Sequence, residues 1–278
     1  MGNKKLSIIT ICYNDIFVEK TCESVVNQTW QDFEWIVIDG GSNSDIQSIY
    51  EKYKYRMDKF ISEKDDGIYD AYNKGLRLAT GEYINLLNSG DYYYDEKVLE
   101  DVFGKNNFNE DLICGDTNNI SNENDDGGKI YKNYKKFKVT DLLYRFFNTQ
   151  SLFMKRKLFD KYGLFNTKYK IEGDLDVILK FVVNKSSYRH VDRVIVNYDR
   201  GGLSSQHNLK AKAVREAERA EILPMYYTKK QLEEAAMRQY VPTYNFFEKI
   251  FSVKKTTNNE YKIITILGNR VNIKINKV

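Results

Sequence analysis

Over the first ninety residues, short runs of consecutive apolar residues alternate with segments that have the apolar period of a helix. Four of the runs predict strands buried on both faces: 6–12, 33–39, 59–62 and 83–87. Between them, helices are predicted up to residue 27, from about residue 46, and over 67–79 with the apolar residues on one face. This alternation indicates an α/β protein with a mostly parallel central sheet flanked by helices.

After residue 91 the pattern is looser. It predicts a helix near 96–103, strands at 111–115 and 150–154, and an amphipathic helix at 175–183. The polar stretch 121–128 is typical of a surface turn between two antiparallel strands.

The last third predicts a helical segment and a terminal β-hairpin. Residues 209–222 and 228–240 read as two charged helices, with Pro224 and Pro242 ending them, and Gly268-Asn269 is a two-residue turn signal between strands 261–267 and 271–275. We therefore expect four parts: two halves, 1–91 and 92–205, of one domain, a helical segment 206–241, and a tail 242–278.

Composition describes a folded globular protein, because 42% of the 278 residues are hydrophobic, 29% are charged and only 2 are Pro. The apolar stretch near the N-terminus is too short for a secretory signal or a membrane span, which predicts a cytoplasmic protein. The three cysteines lack a CxxC spacing, so neither a disulfide framework nor a thiolate zinc site is indicated. We expect them to be reduced and structural.

Positive charge is concentrated at the C-terminal end of the chain. Residues 228–278 have ten Lys or Arg and four Glu, a balance of +6, whereas the preceding 227 residues sum to −2. Basic residues mixed with aromatic ones suit an anionic membrane surface or a nucleic acid, and composition alone does not separate these two.

Polar residues follow three of the predicted strands: Tyr13-Asn14, Asp39 and Asp91. The carboxyl ends of parallel strands share one edge of a sheet, where open α/β proteins bind ligands. Asp39 has the chemistry to accept a hydrogen bond from a ribose hydroxyl or a base N–H, and Asp91 to hold a Mg²⁺ or Mn²⁺ ion completed by substrate phosphates.

Two common phosphate-binding motifs are missing from the sequence. GxGxxG does not follow the first strand and GxxxxGK[ST] does not occur, so neither dinucleotide redox chemistry nor a P-loop NTPase is supported. Without a glycine cradle, a metal held by Asp91 would neutralise the phosphates, and Lys74 would add a point charge. The alternatives are a solvated loop carboxylate for Asp91 and a solvated helix lysine for Lys74.

At this point the sequence resembles the cytoplasmic family 2 glycosyltransferases with the GT-A fold, especially those that build bacterial surface polysaccharides such as capsules. The resemblance covers about the first hundred residues closely and continues more weakly to about residue 205 through Gln150, Asp174 and 201–204. Its motifs are Ser7–Asn14, Val37–Ser42, Asp66–Gly75, Thr80–Tyr83 and Leu87–Asp91.

The resemblance implies a nucleotide-sugar donor, most often a UDP-sugar, with Mn²⁺ or Mg²⁺. It implies that Thr10, Tyr13 and Asp39 hold the nucleobase and ribose, and that Asp91 matches the metal-binding acid that ends the family's Asp-X-Asp motif. Further donor-binding candidates lie in the matching segments: Asn14, Asp66, Lys74, Asn88, Ser89 and Gly90. Asn88, Ser89 and Gly90 stand where an acid is common, and a single carboxylate should weaken metal affinity or shift coordination to diphosphate and water.

Transfer with inversion needs a base that takes the proton of the acceptor hydroxyl. Residues 171–176 supply three carboxylates at the start of a helix, and Asp174 matches the base of the family, with Glu172 and Asp176 as alternatives. A helix cap is the structural alternative for Asp174. Crowding of like charges would raise one pKa, which suits a base.

Residues 201–207 resemble a loop that closes over the donor. The resemblance leaves His207 open as a further metal ligand or a surface residue, and Arg200 as a phosphate contact. In the tail, Phe246, Phe247, Ile250 and Phe251 beside lysines suggest a short helix in the membrane interface, with docking onto the protein's own core as the alternative.

The sequence thus predicts an inverting hexosyl- or N-acetylhexosaminyltransferase that acts on a glycan or a polyprenyl-linked acceptor, without nucleic acid as a partner. We expect it in the cytoplasm, with peripheral binding to the inner face of the cell membrane as an open question. Two rivals remain: a sugar-phosphate nucleotidyltransferase, which needs a Gly-rich basic loop that is not found after the first strand, and a degenerate domain that only binds nucleotide or glycan.

Overall fold

The computed structural model describes residues 4–121, 128–201, 209–239, 251–255, 261–266 and 269–274. The chain divides into two compact units, residues 1–232 and 233–278. The first unit contains a nine-stranded sheet, and the second contains three antiparallel strands.

The N-terminal half of the first unit alternates strands and helices, as the sequence predicts. In chain order the elements are β1 Leu6–Cys12, α1 Val18–Val26, β2 Phe33–Asp39, α2 Ser44–Tyr53, β3 Lys59–Ser62, α3 Ile68–Leu78 and β4 Tyr83–Leu86. The strands β3, β2, β1 and β4 are neighbours in this order and all pair in parallel. Cys12 lies opposite Asp39, and Asp39 opposite Ser62, so three neighbouring strands end at one level.

Helices cover both faces of this part of the sheet. Leu6, Ile8 and Trp35 belong to a buried apolar cluster that includes residues of α1 and α2. On the opposite face α3 packs against β1 so closely that a Cβ at Gly75 would lie 2.5 Å from Ile9 Cγ2. The near-continuous hydrophobicity of β1 and β2 is explained by this double burial.

The second half continues the sheet with mixed strand directions. Its elements are β5 Tyr92–Tyr93, a π-helical turn Glu100–Gly104, β6 Leu112–Ile120, β7 Lys129–Tyr131, β8 Leu152–Lys155, α4 Arg156–Tyr162, α5 Gly173–Val183 and β9 Tyr188–Asp199. Because β8 is antiparallel to both β4 and β6, and β9 is parallel to β6, the strands β6 and β9 run in the same direction as β1 and β4. The sheet is mostly parallel, and six of its strands end at one edge.

Two predictions for this half differ in detail from the structure, and one strand is additional. The helix expected near 96–103 is found at residues 98–104 and has π-helical geometry over Glu100–Gly104, and the strand expected at 111–115 extends to Ile120. The twelve-residue strand β9 was not predicted. The antiparallel pairing on either side of the predicted turn is confirmed, since Thr117 to Asn119 pair with β7.

Two helices and a hairpin follow. The helices are α6 Leu209–Tyr226 and α7 Lys229–Gln239, and Pro224 lies inside α6 instead of ending it. Strands β10 Phe251–Lys255, β11 Tyr261–Ile266 and β12 Asn269–Lys274 form the second sheet. The terminal hairpin is confirmed, but Asn269 pairs with Ile266 and belongs to β12, so it is not a residue of the turn as predicted.

The tail is also different from expectation at Phe251, because 251–255 form a strand and not part of a helix. Residues 240–250, which include Pro242 and most of the predicted interfacial helix, lie outside the described residues. Within the described part of the chain, none of the helices combines the length and apolar character needed to cross a bilayer. All three cysteines are buried and free, as predicted.

Candidate active site

The site lies at the edge where the parallel strands end. Hydrogen bonds join the loops that follow β1, β2 and β4. Asn14, which has a left-handed backbone with φ of 50°, donates its backbone N–H to Ser42 Oγ at 2.8 Å, and its Oδ1 accepts from Asn43 N at 2.9 Å. Ser89 Oγ donates to Asp15 Oδ2 at 2.7 Å, which connects the β1 loop to the β4 loop.

Asp39 ends β2 and is fully buried. Its Oδ2 accepts hydrogen bonds from Ser42 N at 2.9 Å, Gln47 Nε2 at 2.8 Å and Ser62 Oγ at 2.6 Å. Among the described residues, its Oδ1 has one longer contact, 3.5 Å from the Tyr50 hydroxyl. Oδ2 therefore holds the loop after β2 in place, while Oδ1 can accept a further hydrogen bond.

Tyr13 is the most exposed aromatic residue of this edge, with 66% of its surface accessible. A Cβ placed on Gly40 would lie 3.3 Å from Tyr13 Cδ2 and 2.8 Å from Asp65 Oδ2. The tyrosine ring and the Asp65 carboxylate thus border the same small space above Gly40, at the ends of β1, β2 and β3. An aromatic face beside a carboxylate suits a nucleobase.

The sequence predicts Asp66 as a donor contact, whereas the acid that lies beside Gly40 is Asp65. Asp66 is exposed, and its contacts among the described residues are through its backbone, to Asp70 Oδ2 and Lys170 Nζ. The neighbouring Asp65 accepts from Gly67 N at 3.0 Å and approaches Gly40. The residue types alone do not distinguish two consecutive aspartates. In the structure, the turn before α3 places the Asp65 carboxylate beside Gly40.

Two further candidates are already engaged by other protein groups. Thr10 is fully buried in the middle of β1, where its Oγ1 accepts from Trp35 Nε1 at 3.0 Å. Lys74 is held beside the loop after β3, with its Nζ 2.9 Å from Glu63 Oε1 and 3.0 Å from the Lys64 carbonyl. Burial lowers the pKa of Lys74, but the Glu63 contact outweighs it and raises the pKa overall. The Thr10 hydroxyl is therefore used in a hydrogen bond within the core, and the Lys74 ammonium is used in an ion pair with Glu63.

The loop after β4 places Asp91 in a buried position, with 3% of its surface exposed. Gly90 has φ of 86°, which a residue with a side chain rarely adopts, and its N–H donates to Thr21 Oγ1 at 3.1 Å. Asp91 Oδ1 accepts from Asp199 N at 2.8 Å, at the end of β9. Burial raises the pKa of Asp91 well above its usual value, and the charges of Asp199 and Asp15 raise it further.

A divalent metal suits this donor set. In the described residues no three His, Cys, Asp or Glu side chains form a group that could hold a metal, so Asp91 would supply a single carboxylate. Burial and two nearby acids leave its charge uncompensated, which a cation completed by phosphate and water oxygens would correct. His207 and the rest of 202–208 lie outside the described residues.

A chain of contacts connects this loop to Asp174 at the start of α5. The Tyr72 hydroxyl donates to Asn88 Oδ1, and the rings of Tyr72 and Tyr69 lie 6.2 Å apart. The Tyr69 hydroxyl is 3.5 Å from Asp174 Oδ1. Burial raises the pKa of Tyr72 well above its usual value, and the charges of Asp174 and Asp91 add to this rise.

Asp174 is half-buried and is held by neutral donors. Its Oδ2 accepts from Thr149 Oγ1 at 2.9 Å, and its Oδ1 from Leu175 N at 2.8 Å. Burial raises the pKa of Asp174, and the hydrogen bond from Thr149 partly opposes that rise. Within the described residues no Lys, Arg or His lies in ion-pair contact with it, which leaves the carboxylate basic.

The two neighbouring carboxylates have cationic partners. Glu172 Oε1 lies 3.0 Å from Arg215 Nε, and its Oε2 lies 2.8 Å from Arg219 Nε, both on α6. Burial, followed by the charge of Asp174, raises the pKa of Glu172 to about 7 despite these arginines. Asp176 is buried, contacts the Tyr226 hydroxyl and lies 3.5 Å from Lys180 Nζ. Of the three acids, Asp174 has the environment that best suits a base.

Comparison with known proteins gives the family. The sequence matches the model of Glycosyl transferase family 2 over residues 7–164. The chain belongs to this family. It is 30% identical over 215 residues to a "PGL/p-HBAD biosynthesis glycosyltransferase" of Mycobacterium bovis (strain BCG / Pasteur 1173P2), which covers 74% of this chain and 81% of the relative.

Solved structures show the same fold. The complex of S. aureus TarS 1–349 with UDP-GlcNAc is 18% identical, with a TM-score of 0.66 over 85% of this chain and 72% of that one. The mannosyltransferase PcManGT from Pyrobaculum calidifontis, in complex with GDP-Man and Mn²⁺, is 15% identical with a TM-score of 0.58 over 85% and 70%. The α/β fold of this family 2 member is therefore the GT-A fold, as predicted.

Proposed function

We propose that this protein transfers a sugar from a nucleotide-diphosphate sugar, specifically a UDP-sugar, to a hydroxyl of a glycan or lipid-linked acceptor during surface polysaccharide assembly, with inversion at the anomeric carbon. The observation that carries the proposal is Asp174, a carboxylate without a cationic partner in the described residues, linked through Tyr69 and Tyr72 to the loop of Asp91. The UDP-GlcNAc and GDP-Man complexes of the structural neighbours support the class of donor.

In this proposal the donor half is residues 1–91 and the acceptor half is residues 92–205. Tyr13, Asn14, Asp39 and Asp65 bind the nucleoside, because they border the ends of β1 to β3. The turn of Asn88, Ser89 and Gly90 presents Asp91 to the diphosphate. Mn²⁺ or Mg²⁺ held by Asp91 would neutralise the charge that develops on the leaving diphosphate.

Asp174 acts as the base. It accepts the proton of the acceptor hydroxyl while the hydroxyl oxygen attacks the anomeric carbon, and the bond from that carbon to the diphosphate oxygen breaks on the opposite side. Thr149 and the Leu175 N–H hold the carboxylate in place. The raised pKa of Asp174 suits this role, because a stronger base takes the proton more readily.

The test is Asp174→Asn, which preserves size and hydrogen bonding but cannot accept the proton. We expect turnover to fall by a factor of about 10² to 10⁴, while UDP with Mn²⁺ still raises the melting temperature as in wild type. Lys180→Gln is the control, since Lys180 lies on the same helix and contacts Asp176. Undiminished transfer by the Asp174→Asn variant would show that another residue is the base.

The effect of UDP and Mn²⁺ on the melting temperature also helps to distinguish the proposed transferase from the two alternative functions. Stabilisation by UDP that requires Mn²⁺ supports a transferase donor site, and stabilisation without any transfer or hydrolysis of a UDP-sugar supports a domain that only binds nucleotide. Release of pyrophosphate from a nucleoside triphosphate and a sugar phosphate would instead identify a nucleotidyltransferase.

A further inference from the structure

A basic and aromatic segment precedes Thr149, the residue that holds Asp174. Between residues 129 and 145 the sequence has six Lys or Arg and one acid, Asp141. Lys132 and Lys135 each lie 2.7 Å from a carboxylate. The structure describes this whole segment and gives no ion pair with a described acid for the other four cations: Lys129, Lys136, Lys138 and Arg145. The segment therefore has uncompensated positive charge.

Arg145 is the most constrained of these cations. Its guanidinium carbon lies 4.3 Å from the ring centre of Tyr134 and 4.8 Å from that of Tyr131. Its Nε is buried and has no hydrogen-bond partner among the described residues. Cation–π contacts and a side-chain hydrogen bond with Tyr134 hold the guanidinium in place. The remaining N–H donors of the guanidinium match the oxygens of an oxyanion.

The position of Arg145 relates it to the reaction. Thr149 Oγ1 lies 2.9 Å from Asp174 Oδ2, and Arg145 precedes Thr149 by four residues. Four residues span at most about 14 Å, so the two backbones are no farther apart than that. This is the length of a few sugar or polyol units, so an acceptor of that length with its hydroxyl at Asp174 is long enough to reach Arg145.

We propose that Arg145 binds a phosphate group of the acceptor, and that the acceptor is a phosphate-bearing glycan or polyol chain. The inference rests on the proposed function, because it assumes that Asp174 marks the reacting hydroxyl. The planar guanidinium binds phosphate oxygens through paired hydrogen bonds, and the unpaired lysines of the segment attract a chain with repeated negative charges.

The experiment measures binding to the full chain by calorimetry, with three probes. They are a short oligomer of glycerol phosphate, a neutral oligosaccharide of similar length, and vesicles of phosphatidylglycerol. We expect the wild type to bind the phosphate oligomer, to bind it less tightly at high salt, and to ignore the neutral one. Arg145→Ala should weaken this binding about tenfold to a hundredfold, as expected for the loss of hydrogen bonds to a charged group.

Two variants make the result specific. Arg145→Lys keeps the charge but not the planar fork, so it should also bind the phosphate oligomer several-fold more weakly than wild type. Arg189→Ala removes an exposed arginine that pairs with Glu110, and it should bind like wild type. Equal affinity of Arg145→Ala and wild type would overturn the proposal. Failure of the wild type to bind the soluble oligomer would also overturn it. If Arg145→Ala then weakened binding to the vesicles, the phosphate at Arg145 would be a lipid headgroup.

The two proposals fail separately. Arg145 lies outside the donor half, so UDP with Mn²⁺ should raise the melting temperature of Arg145→Ala as much as that of wild type. Loss of the UDP effect in wild type would refute the donor site, whatever the phosphate oligomer does. A normal UDP effect without phosphate binding would refute the acceptor proposal alone.

Discussion

At the scale of single residues, the ionised carboxylate of Asp91 destabilises the metal-free protein, although the proposed metal site needs it. The pKa of Asp91 is raised because burial disfavours its ionised form, and the charges of Asp199 and Asp15 act in the same direction. The folded state therefore binds this proton more tightly than the unfolded state does. It follows that the stability contributed by this group is greatest below the ordinary Asp pKa and falls as the pH rises through the raised value.

We therefore predict that Asp91→Asn is more stable than wild type at neutral pH when no metal is added. The amide Oδ1 can still accept from Asp199 N, and the buried charge is gone. We expect the melting temperature to rise by about 2–4 °C for each kcal/mol gained, and the Mn²⁺-dependent stabilisation by UDP to disappear.

Asp66→Asn is the control for this variant, because Asp66 is exposed and should change neither quantity. A lower melting temperature of Asp91→Asn would show that the ionised carboxylate is stabilised in the folded protein. That result would contradict a raised pKa of Asp91 in the folded protein.

A matched pair of substitutions tests which of two consecutive acids binds the donor. Asp65→Asn should weaken UDP binding about tenfold or more, since it removes a charged acceptor beside Tyr13 and Gly40. Asp66→Asn, one residue away, should bind UDP as wild type does. Titration of UDP in the presence of Mn²⁺ measures both, and a larger effect at Asp66 would restore the assignment made from sequence.

At the scale of elements, the start of α5 depends on a glycine. A Cβ at Gly173 would lie 2.7 Å from Tyr69 Cε2, a distance at which one of the two must move. Tyr69 also bonds the Ile171 carbonyl and approaches Asp174, so any shift reaches the proposed base.

We therefore predict that Gly173→Ala lowers turnover about tenfold to a hundredfold, because misplacement by about 1 Å can cost 10²-fold. UDP binding should be retained. Gly104→Ala is the control, since its Cβ would meet the flexible Glu100 side chain at 3.1 Å, far from Asp174 in sequence. Steady-state kinetics with a UDP-sugar would measure both, and unchanged turnover of Gly173→Ala would mean that Tyr69 does not position the base.

The elements that sequence alone could predict are those with a continuous pattern. β1, β2 and α3 have long apolar runs or a clear helical period, and their bounds agree with the structure to within one residue. β9 was missed because its burial is irregular, and its pairing with β6 contains register shifts near Asp116. Missing β9 also concealed Asp199, which bonds Asp91.

Some residues of the candidate site could be predicted from the sequence, and others could not. Residues at strand ends, such as Asp39 and Asp91, follow from the topology of a parallel sheet. The pattern does not show that the Thr10 hydroxyl accepts a hydrogen bond from Trp35, because this is a tertiary contact. Its role in donor binding stays a prediction. Tyr69, Tyr72 and Thr149 were missed as site residues, since their hydroxyls are brought to Asn88 and Asp174 by tertiary contacts.

At the scale of the whole molecule, charge is unevenly distributed between the two compact units. Residues 233–278 contain eight Lys or Arg and four Glu, a balance of +4, which equals the net charge of the entire chain. The first unit is therefore neutral overall, and the donor-site candidates with described positions all belong to it. We propose that the second unit contributes affinity for anionic surfaces and little to nucleotide binding.

Deletion of residues 242–278 tests this division. The truncated chain loses seven Lys or Arg and two Glu, a change of −5, so we predict that it no longer sediments with phosphatidylglycerol vesicles at about 0.1 M salt. Its stabilisation by UDP and Mn²⁺ should equal that of the full chain, because none of the proposed donor contacts is removed. If the full chain binds the vesicles and the truncated chain sediments with them equally well, the membrane affinity comes from the first unit. The basic segment 129–145 would then be the first region to test. Loss of the UDP effect together with vesicle binding would instead mean that the tail stabilises the catalytic unit, and the proposed division of roles would be wrong.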